Sequence, residues 1–335
     1  MTRFLALTLA FVAAITAETR AEGPVPGEAW KLPLPDRSRL ELRWIPPGTF
    51  TMGSPATEPG RRADEGPQTQ VTLTRGFWLG RTLVTVGQWK QVMGLDLRAQ
   101  LKKRIRDDTL WELGGKQQRL RDLMHWSLDA DPVTYLANED DDLPMYFVSW
   151  NDAMEFAAKL TAQERTAGRL PDGYEFNLPT EAQWEYACRA GTTTPTYAGT
   201  NEPAVLSQLA WFDQNSAEGY AGRRIGPTKS GPRVVGLKEA NGWGLHDMYG
   251  NIWQWCRDWY GPYVGGSVTD PTGPATGTGR VNRGGSFGSG INSLRSATRA
   301  SNPQPEASAY RGFRIALVPV VAPPNPPRPV GHPSS

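Results

Sequence analysis

The chain has 335 residues and a formal net charge of +2, so its charge gives no reason to expect binding to nucleic acid or to a membrane surface. Hydrophobic residues make up only 39% of it, but it contains 13 Trp, 10 Tyr and 10 Phe, which excludes a wholly disordered protein. The 36 Gly and 29 Pro favour a core of aromatic side chains held by turns and loops, with modest regular structure.

Residues 1–21 have the features of an export signal. Arg3 supplies a positive charge, an apolar run extends from Phe4 to Ala17, and small residues allow cleavage after Ala21 or Ala17. The run is too short to span a bilayer comfortably, and no other stretch is long and apolar enough. We therefore expect a periplasmic or secreted protein with no membrane span after signal cleavage; the alternative is a retained N-terminal anchor.

The next part of the chain predicts short elements. Residues 22–37 are polar and proline-rich, and we expect them to be a lead-in to one domain over residues 38–318. Thr85 is a candidate N-cap for a short helix that ends at Met93. The pattern of β-branched and aromatic residues predicts strands at 40–45, 70–74 and 77–80.

Residues 95–142 read as a charged insertion within this domain. Basic residues cluster near its start, an acidic run ends it, and the apolar residues between them follow a partial helical period. The basic residues are Lys102, Lys103, Arg104 and Arg106. The pattern favours a solvated helical insertion, and the alternative is a lid or a partner-docking element.

Two stretches predict the clearest helices. Residues 151–164 place Phe156 and Leu160 on one face, with Asn151 or Asp152 as the N-cap. Residues 178–189 contain Thr180 followed three positions later by Gln183, which is the pattern of a capping box.

The segment Asn241–Tyr260 contains four of the tryptophans, two tyrosines and one cysteine. Side chains of this size and density must pack into the core. The Gly250–Asn251 pair predicts a tight turn followed by a short buried strand. Beyond it, residues 280–287 and 312–318 predict strands, and the proline-rich residues 319–335 predict a disordered tail that cannot join a sheet.

The mature chain has two cysteines, Cys188 and Cys256. In an oxidising compartment they are a candidate disulfide, and the alternative is two buried free thiols. A catalytic thiol is the least favoured interpretation, because burial of Cys256 among tryptophans raises a thiol pKa.

Several segments together resemble the formylglycine-generating enzyme, or sulfatase-modifying factor, family, and they occur in the family's order. The matching segments are Trp44–Gly53, Val84–Val86, Val148–Ala153, Leu178–Tyr186, Asn241–Tyr260, Arg283–Ser286 and Tyr310–Arg314. The resemblance implies an α+β fold, the formylglycine-generating-enzyme fold, which is C-type-lectin-like. It also implies a single compact domain with little regular secondary structure.

The family's enzymes oxidise a cysteine of a sulfatase to formylglycine, using oxygen and a copper ion held by two cysteines just after the Gly-Gly-Ser motif. Here residues 284–295 contain no cysteine. Because copper(I) prefers thiolate ligands, Ser289 and Ser293 cannot replace them. We therefore expect no copper, and identify the chain as a divergent member that lacks the copper-binding pair.

Other residues match the family's pocket. The resemblance implies that Ser286 and Trp253 belong to it, and Arg295 and Arg299 follow shortly after Ser286. Together with Arg283 and Arg314 these arginines are candidates to bind a carboxylate or another anion. The alternative is that they form structural ion pairs with Asp247, Asp258 or Glu185.

The resemblance also implies a structural calcium site on the aromatic segment. Its candidate ligands are the side chains of Asp247 and Gln254 and the carbonyls of Gly250 and Ile252. The family has glutamate where Gln254 stands, so weaker binding is expected.

Three functions follow as hypotheses. The first is an exported maturation or accessory protein, or a ligand-binding protein, whose partner is an unknown periplasmic protein, a peptide or a small anionic ligand. The second is a copper-independent periplasmic oxidative maturation enzyme. The third is formylglycine generation itself, which the missing cysteines disfavour.

Overall fold

The computed structural model describes residues 23–35, 39–108, 110–113, 116–119, 140–220 and 230–320. The predicted signal peptide and residues 321–335 of the predicted tail lie outside them. The helices within these residues are α1 (Val86–Met93), α2 (Leu97–Ile105), α3 (Trp150–Thr166), α4 (Glu181–Arg189) and α5 (Pro203–Leu209). Short 3-10 turns occur at Ala63–Glu65 and Ile291–Ser293.

The strands are short and are distributed over several sheets. The first eight are β1 (Ala29–Pro33), β2 (Arg39–Ile45), β3 (Gly48–Met52), β4 (Thr69–Leu73), β5 (Phe77–Gly80), β6 (Leu110–Leu113), β7 (Lys116–Arg119) and β8 (Tyr174–Asn177). The remainder are β9 (Ala210–Trp211), β10 (Tyr249–Gly250), β11 (Trp253–Trp259), β12 (Ser267–Thr269), β13 (Arg280–Arg283), β14 (Arg299–Asn302), β15 (Arg311–Phe313) and β16 (Ala316–Pro319). Helices and strands are interspersed around one body, so the fold is a single α+β domain.

One antiparallel sheet has the order β1-β2-β5-β16-β8 and corrects the predicted limits of the domain. The expected lead-in over 22–37 contributes β1, because Leu32 and Leu34 are buried in the core. At the other end, the expected tail does join the sheet for one residue, since Pro319 is opposite Tyr174 at the end of β16. Proline is tolerated at a strand end.

A second sheet, of order β14-β13-β11-β15, carries the aromatic segment. The predicted strand over 280–287 ends at Arg283, because Gly284 and Gly285 have φ values of 94° and 79° and turn the chain. The predicted strand over 312–318 is also divided: β15 pairs with β11, whereas β16 pairs with β5 and β8.

Strand β11 lies between two hydrophobic clusters, which confirms that the aromatic segment is core. Trp255 on one face packs with Phe313 and the residues of α1 and α3. Cys256 on the opposite face packs with Trp184 and the residues of α4. The strand alternation therefore directs its even-numbered side chains toward α4.

The predicted helix caps are formed, with one correction. Thr85 and Thr180 each make the complete capping box with a glutamine three residues later. The helix predicted at 151–164 begins at Trp150 instead, and its N-cap is Ser149. Asp152, one of the two predicted caps, is the reciprocating N3 residue of that capping box.

The start of the charged insertion is docked on the core and is not fully solvated. Leu97 and Leu101 of α2 are buried, and so is Arg104 of the predicted basic cluster. Arg104 donates to Ser149 Oγ at 3.1 Å and pairs with Asp152 at the start of α3. Residues 120–139 of the insertion lie outside the described residues. Within the described part, no helix has the length and apolar character that a membrane crossing needs.

Candidate ligand-binding site

The Gly-Gly-Ser turn brings two serine hydroxyls together. A Cβ on Gly285 would lie 2.7 Å from Leu294 Cδ2, and one on Gly284 would lie 2.9 Å from the carbonyl oxygen of Met248, so only glycine fits the turn. The turn places Ser286 Oγ 3.2 Å from Ser289 Oγ, and the Ser286 N–H also donates to Ser289 Oγ at 3.0 Å. Ser289 therefore contributes a hydroxyl in the stretch after the motif, where the family resemblance leads one to expect copper-binding thiols.

Trp253 begins β11 and is half-buried. Its backbone N–H donates to the carbonyl of Tyr310 at 2.8 Å. The Tyr310 ring stacks on that of Phe287 with ring centroids 4.7 Å apart. Phe287 follows Ser286, so Trp253 and Ser286 belong to one region of the molecule, joined through the Tyr310–Phe287 stack.

Arg295, predicted to line this pocket, does not. Its side chain is fully buried, and Nη1 lies 2.6 Å from Glu58 Oε1 and 2.7 Å from Glu65 Oε2. Its Nη2 also donates to the carbonyl of Gly60 at 2.8 Å. A guanidinium held by two carboxylates has no capacity left for an anionic ligand, so Arg295 ties the loop at 58–65 to the core.

Arg299 is also occupied by protein groups. Its Nε and Nη2 donate to the two oxygens of Glu181 at 2.8 and 2.6 Å, and Nη1 donates to the carbonyls of Asp64 and Gly261. The guanidinium lies 4.1 Å from the ring centroid of Tyr263. The predicted anion site on Arg295 and Arg299 is therefore wrong. The alternative of structural ion pairs describes Arg299, but its partner is Glu181 and none of the predicted acids.

Arg283 and Arg314 complete the correction. Arg283 pairs with Glu185, a predicted partner. Against the cost of burial, the charges of Arg189 and Arg283 lower the pKa of Glu185. Arg314 is held mainly by oxygens of uncharged groups, among them Gly80 O and Gln254 Oε1, and burial lowers its pKa to about 10.

The structure places a cavity of about 490 Å³ beside Arg299, and neither Ser286 nor Trp253 is among its lining residues. Strands β4 and β12, the start of α4 and the loop after β11 form its walls. The lining is largely apolar, with Met52, Val71, Ala182, Trp259, Pro262, Tyr263, Val268, Pro271 and Pro274 among its residues. Within the part of the chain that the structure describes, the charged side chains of that lining are Glu181, Asp258 and Arg299. This volume and composition are typical of a small-molecule site.

Asp258 and Glu181 are the site residues that sequence reasoning missed as ligand-binding candidates. Asp258 is 4% exposed, and its Oδ2 accepts a hydrogen bond from the Glu181 N–H at 2.9 Å. Burial, and then the negative charge of Glu181, raise the pKa of Asp258 to about 7. The alternation of β11 was the available signal, because Asp258 shares a face with Gln254 and Cys256, which are fully buried.

The residues predicted to hold calcium do not fit a cation. Gln254 Oε1 accepts hydrogen bonds from Trp184 Nε1 at 2.8 Å and from Arg314 Nε at 3.0 Å, which uses both lone pairs of the predicted ligand oxygen. Gln254 Nε2 donates to the carbonyl of Asp247. The oxygen that a calcium ion would need is thus already bound to the positively charged guanidinium of Arg314. Gly250 and Ile252, which offer only backbone carbonyls, cannot supply the missing ligand charge.

The two cysteines are free and completely buried, so the candidate disulfide is not formed. Cys188 on α4 donates to Ser296 Oγ at 3.8 Å, whereas Cys256 lies on β11 near the charges of Glu181 and Asp258. Burial raises the pKa of Cys188 to about 11 and that of Cys256 well above its usual range. Neither buried thiol fits as a copper ligand, because the ligand is the thiolate.

Comparison with known proteins adds the family. A formylglycine-generating enzyme of Streptomyces coelicolor is 38% identical over 186 residues, which cover 52% of this chain and 52% of that relative. The chain therefore spans about half of that relative's length. A mouse protein named inactive Cα-formylglycine-generating enzyme 2 is 28% identical and covers 81% of this chain and 84% of its own length.

The fold is shared with Treponema denticola variable protein 1, whose structure superposes with a TM-score of 0.63 at 22% identity, covering 89% of this chain and 100% of that protein. At this identity the likeness shows the fold alone. The sequence profile of the sulfatase-modifying factor enzyme 1-like domain family matches residues 33–318, which is most of the chain. This protein therefore belongs to that family.

Proposed function

We propose that this protein is an exported accessory or ligand-binding protein of the family that does not use the copper–thiolate oxidase site. The observation that carries the proposal is that residues 284–295 contain no cysteine and that Ser289, which follows the Gly-Gly-Ser motif, places a hydroxyl 3.2 Å from Ser286 Oγ. Both thiols of the chain lie elsewhere and are inaccessible. A serine hydroxyl is a poor ligand for copper(I), and the hydrogen bonds of Ser286 Oγ within the described residues join it to Ser289 Oγ and the Gly288 N–H, neither of which is a base that would activate it.

The cavity beside Arg299 supports the binding part of the proposal. It encloses about 490 Å³ between apolar walls, and Val264 at its margin is 78% exposed. A cavity of this kind gains free energy by removing the apolar part of a ligand from water. The periplasm or the extracellular space is the proposed location, on the strength of the signal sequence.

The name of the Streptomyces relative supports formylglycine generation as the second candidate, and the name of the mouse relative supports its loss. A peptide containing the sulfatase cysteine separates the two when it is incubated with the protein, copper(I) and oxygen. We expect the peptide thiol to persist, as measured by mass spectrometry. Conversion of the thiol to an aldehyde would overturn the proposal.

Oxygen consumption by metal-stripped protein tests the copper-independent oxidase. We expect no uptake above the buffer rate with thiol, phenol or amine substrates. Uptake that Ser286→Ala abolishes would favour the oxidase over the binding protein.

Binding in the cavity is tested with a neutral probe, 2-phenylethanol, by NMR titration. We expect shifts in the wild type and their loss in Val268→Trp, where the larger side chain fills the cavity. Leu237→Trp, at an exposed position outside the cavity lining, is the matched control and should bind as the wild type does. Absence of binding to the wild type would refute the cavity as a ligand site.

A further inference from the structure

The charged residues of the cavity wall differ in how many hydrogen-bond and ion-pair partners the protein provides for them. Arg299 makes two hydrogen bonds to Glu181 and two to backbone carbonyls. Glu181 also accepts from Tyr263 Oη at 3.3 Å. These two groups neutralise each other and leave little capacity for a ligand.

Asp258 is the third charged residue of the wall, and its ionised form has no such partner. Its Oδ2 accepts from the Glu181 N–H. Among the residues that the structure describes, no lysine, arginine or histidine forms an ion pair with it. The backbone of Gly273 packs closely on the Asp258 side chain, because a Cβ on Gly273 would lie 2.9 Å from Asp258 Cβ and 3.2 Å from its Oδ1, and both residues line the cavity. The wall therefore contains a nearly buried carboxyl group that lines the cavity and has no ion-pair partner among the described residues.

The surroundings decide which ligand charge the cavity can accept. Among the described residues, the charged lining consists of two carboxyl groups and one guanidinium, and the guanidinium is already paired. An anion would meet Asp258 without a free donor to offset the repulsion, and a neutral group would gain at most a hydrogen bond. A cation would convert a carboxylate without an ion-pair partner into a charge-assisted hydrogen bond.

We propose that this cavity binds a small organic amine, with its apolar body against the Val71, Val268 and Pro271 wall and its ammonium group on the carboxylate of Asp258. The proposal rests on the proposed binding function and adds the class of ligand. No covalent step is involved.

Binding of an ammonium group requires the ionised form of Asp258, so binding is coupled to proton release. Because the pKa of Asp258 is raised to about 7, about half of the molecules release a proton to solvent on binding at pH 7. Several groups face or neighbour this carboxyl. They are Glu181 on α4, Arg257 on β11, Arg280 on β13, Arg299 on β14 and Tyr263 on the cavity loop.

Isothermal titration with 2-phenylethylamine and with 2-phenylethanol tests the proposal, because the two probes share their apolar body. At pH 8 we expect the amine to bind about ten-fold more tightly than the alcohol. In Asp258→Asn the amine and the alcohol should bind with about equal affinity. Asp172→Asn, which removes an exposed carboxylate, should keep the preference for the amine.

A second measurement uses the wild type only and so does not depend on the folding of a variant. Titrations at pH 7 in phosphate and in Tris, whose ionisation enthalpies differ, should show release of about half a proton with the amine and none with the alcohol. Equal affinity for both probes, or a preference that survives in Asp258→Asn, would overturn the amine proposal while leaving cavity binding intact. Failure of both probes to bind the wild type would overturn both proposals.

Discussion

Asp258→Asn should change how the stability of the protein depends on pH. In the folded protein, burial and Glu181 raise the pKa of Asp258 from 3.8 to about 7, so the folded state binds this proton more tightly than the unfolded state. The resulting stabilisation is complete below the unfolded pKa and is lost as pH rises through the folded pKa. Asparagine keeps the acceptor for the Glu181 N–H but has no proton to lose.

The two pKa values determine the magnitude. Between pH 5 and pH 8, ionisation of Asp258 should cost the wild type about 2.5 kcal/mol of unfolding free energy, at about 1.4 kcal/mol per pKa unit. Asp258→Asn has no such ionisation. From pH 5 to pH 8 its unfolding free energy should therefore gain about 2.5 kcal/mol relative to that of the wild type.

Urea denaturation followed by tryptophan fluorescence at several pH values between 5 and 8 measures this difference. Asp172→Asn is the control and should follow the wild type throughout. Parallel stability curves for Asp258→Asn and the wild type would refute the reasoning, because they would mean that Asp258 ionises as easily in the folded protein as in the unfolded chain.

Three further predictions concern the groups that the structure assigns to the scaffold. Arg295→Met should destabilise the protein by about 3–5 kcal/mol in urea denaturation, because two buried carboxylates lose their partner; a smaller loss than 1 kcal/mol would contradict the ion-pair network. Added calcium should leave the melting temperature unchanged, since Gln254 Oε1 is already bonded to Arg314; a rise with calcium would show that the segment rearranges to bind it. Cys188 and Cys256 should react with a thiol reagent only after denaturation, and fast labelling of the native protein would contradict their burial.

Local features could be predicted from the sequence because their causes lie within a few residues. Thr180 and Gln183 form the capping box that their spacing predicts, since both partners lie on one helical turn. The predicted N-cap of α3, Asn151 or Asp152, lies two or three residues after the observed one, Ser149. Serine, asparagine and aspartate are all favoured N-cap residues. Residue type alone therefore does not show that Ser149, directly before Trp150, is the N-cap, and not Asn151 or Asp152.

Partners far apart in the chain could not be predicted in this way. The sequence pattern predicts Arg295 in a ligand pocket, but the carboxylates that bind it belong to Glu58 and Glu65, more than 200 residues earlier. The sequence shows that an arginine needs a partner when it is buried, but not which glutamate the loops bring to it. The cavity cannot be predicted from local patterns for the same reason, because it forms where β4, β12 and α4 meet.

The buried ion pairs and the proposed ligand carboxylate have separate roles in this fold. Three arginines each pair with a buried glutamate: Arg283, Arg295 and Arg299. Such pairs fix the positions of loops that few strands hold in place. Asp258 lies beside this network but is not neutralised by it, so its ionisation costs free energy that a cationic ligand would recover. A purely structural acid at this position could be replaced by an uncharged residue without loss, whereas a binding residue could not. The amine titration of Asp258→Asn distinguishes these cases even if that variant is the more stable protein at pH 8.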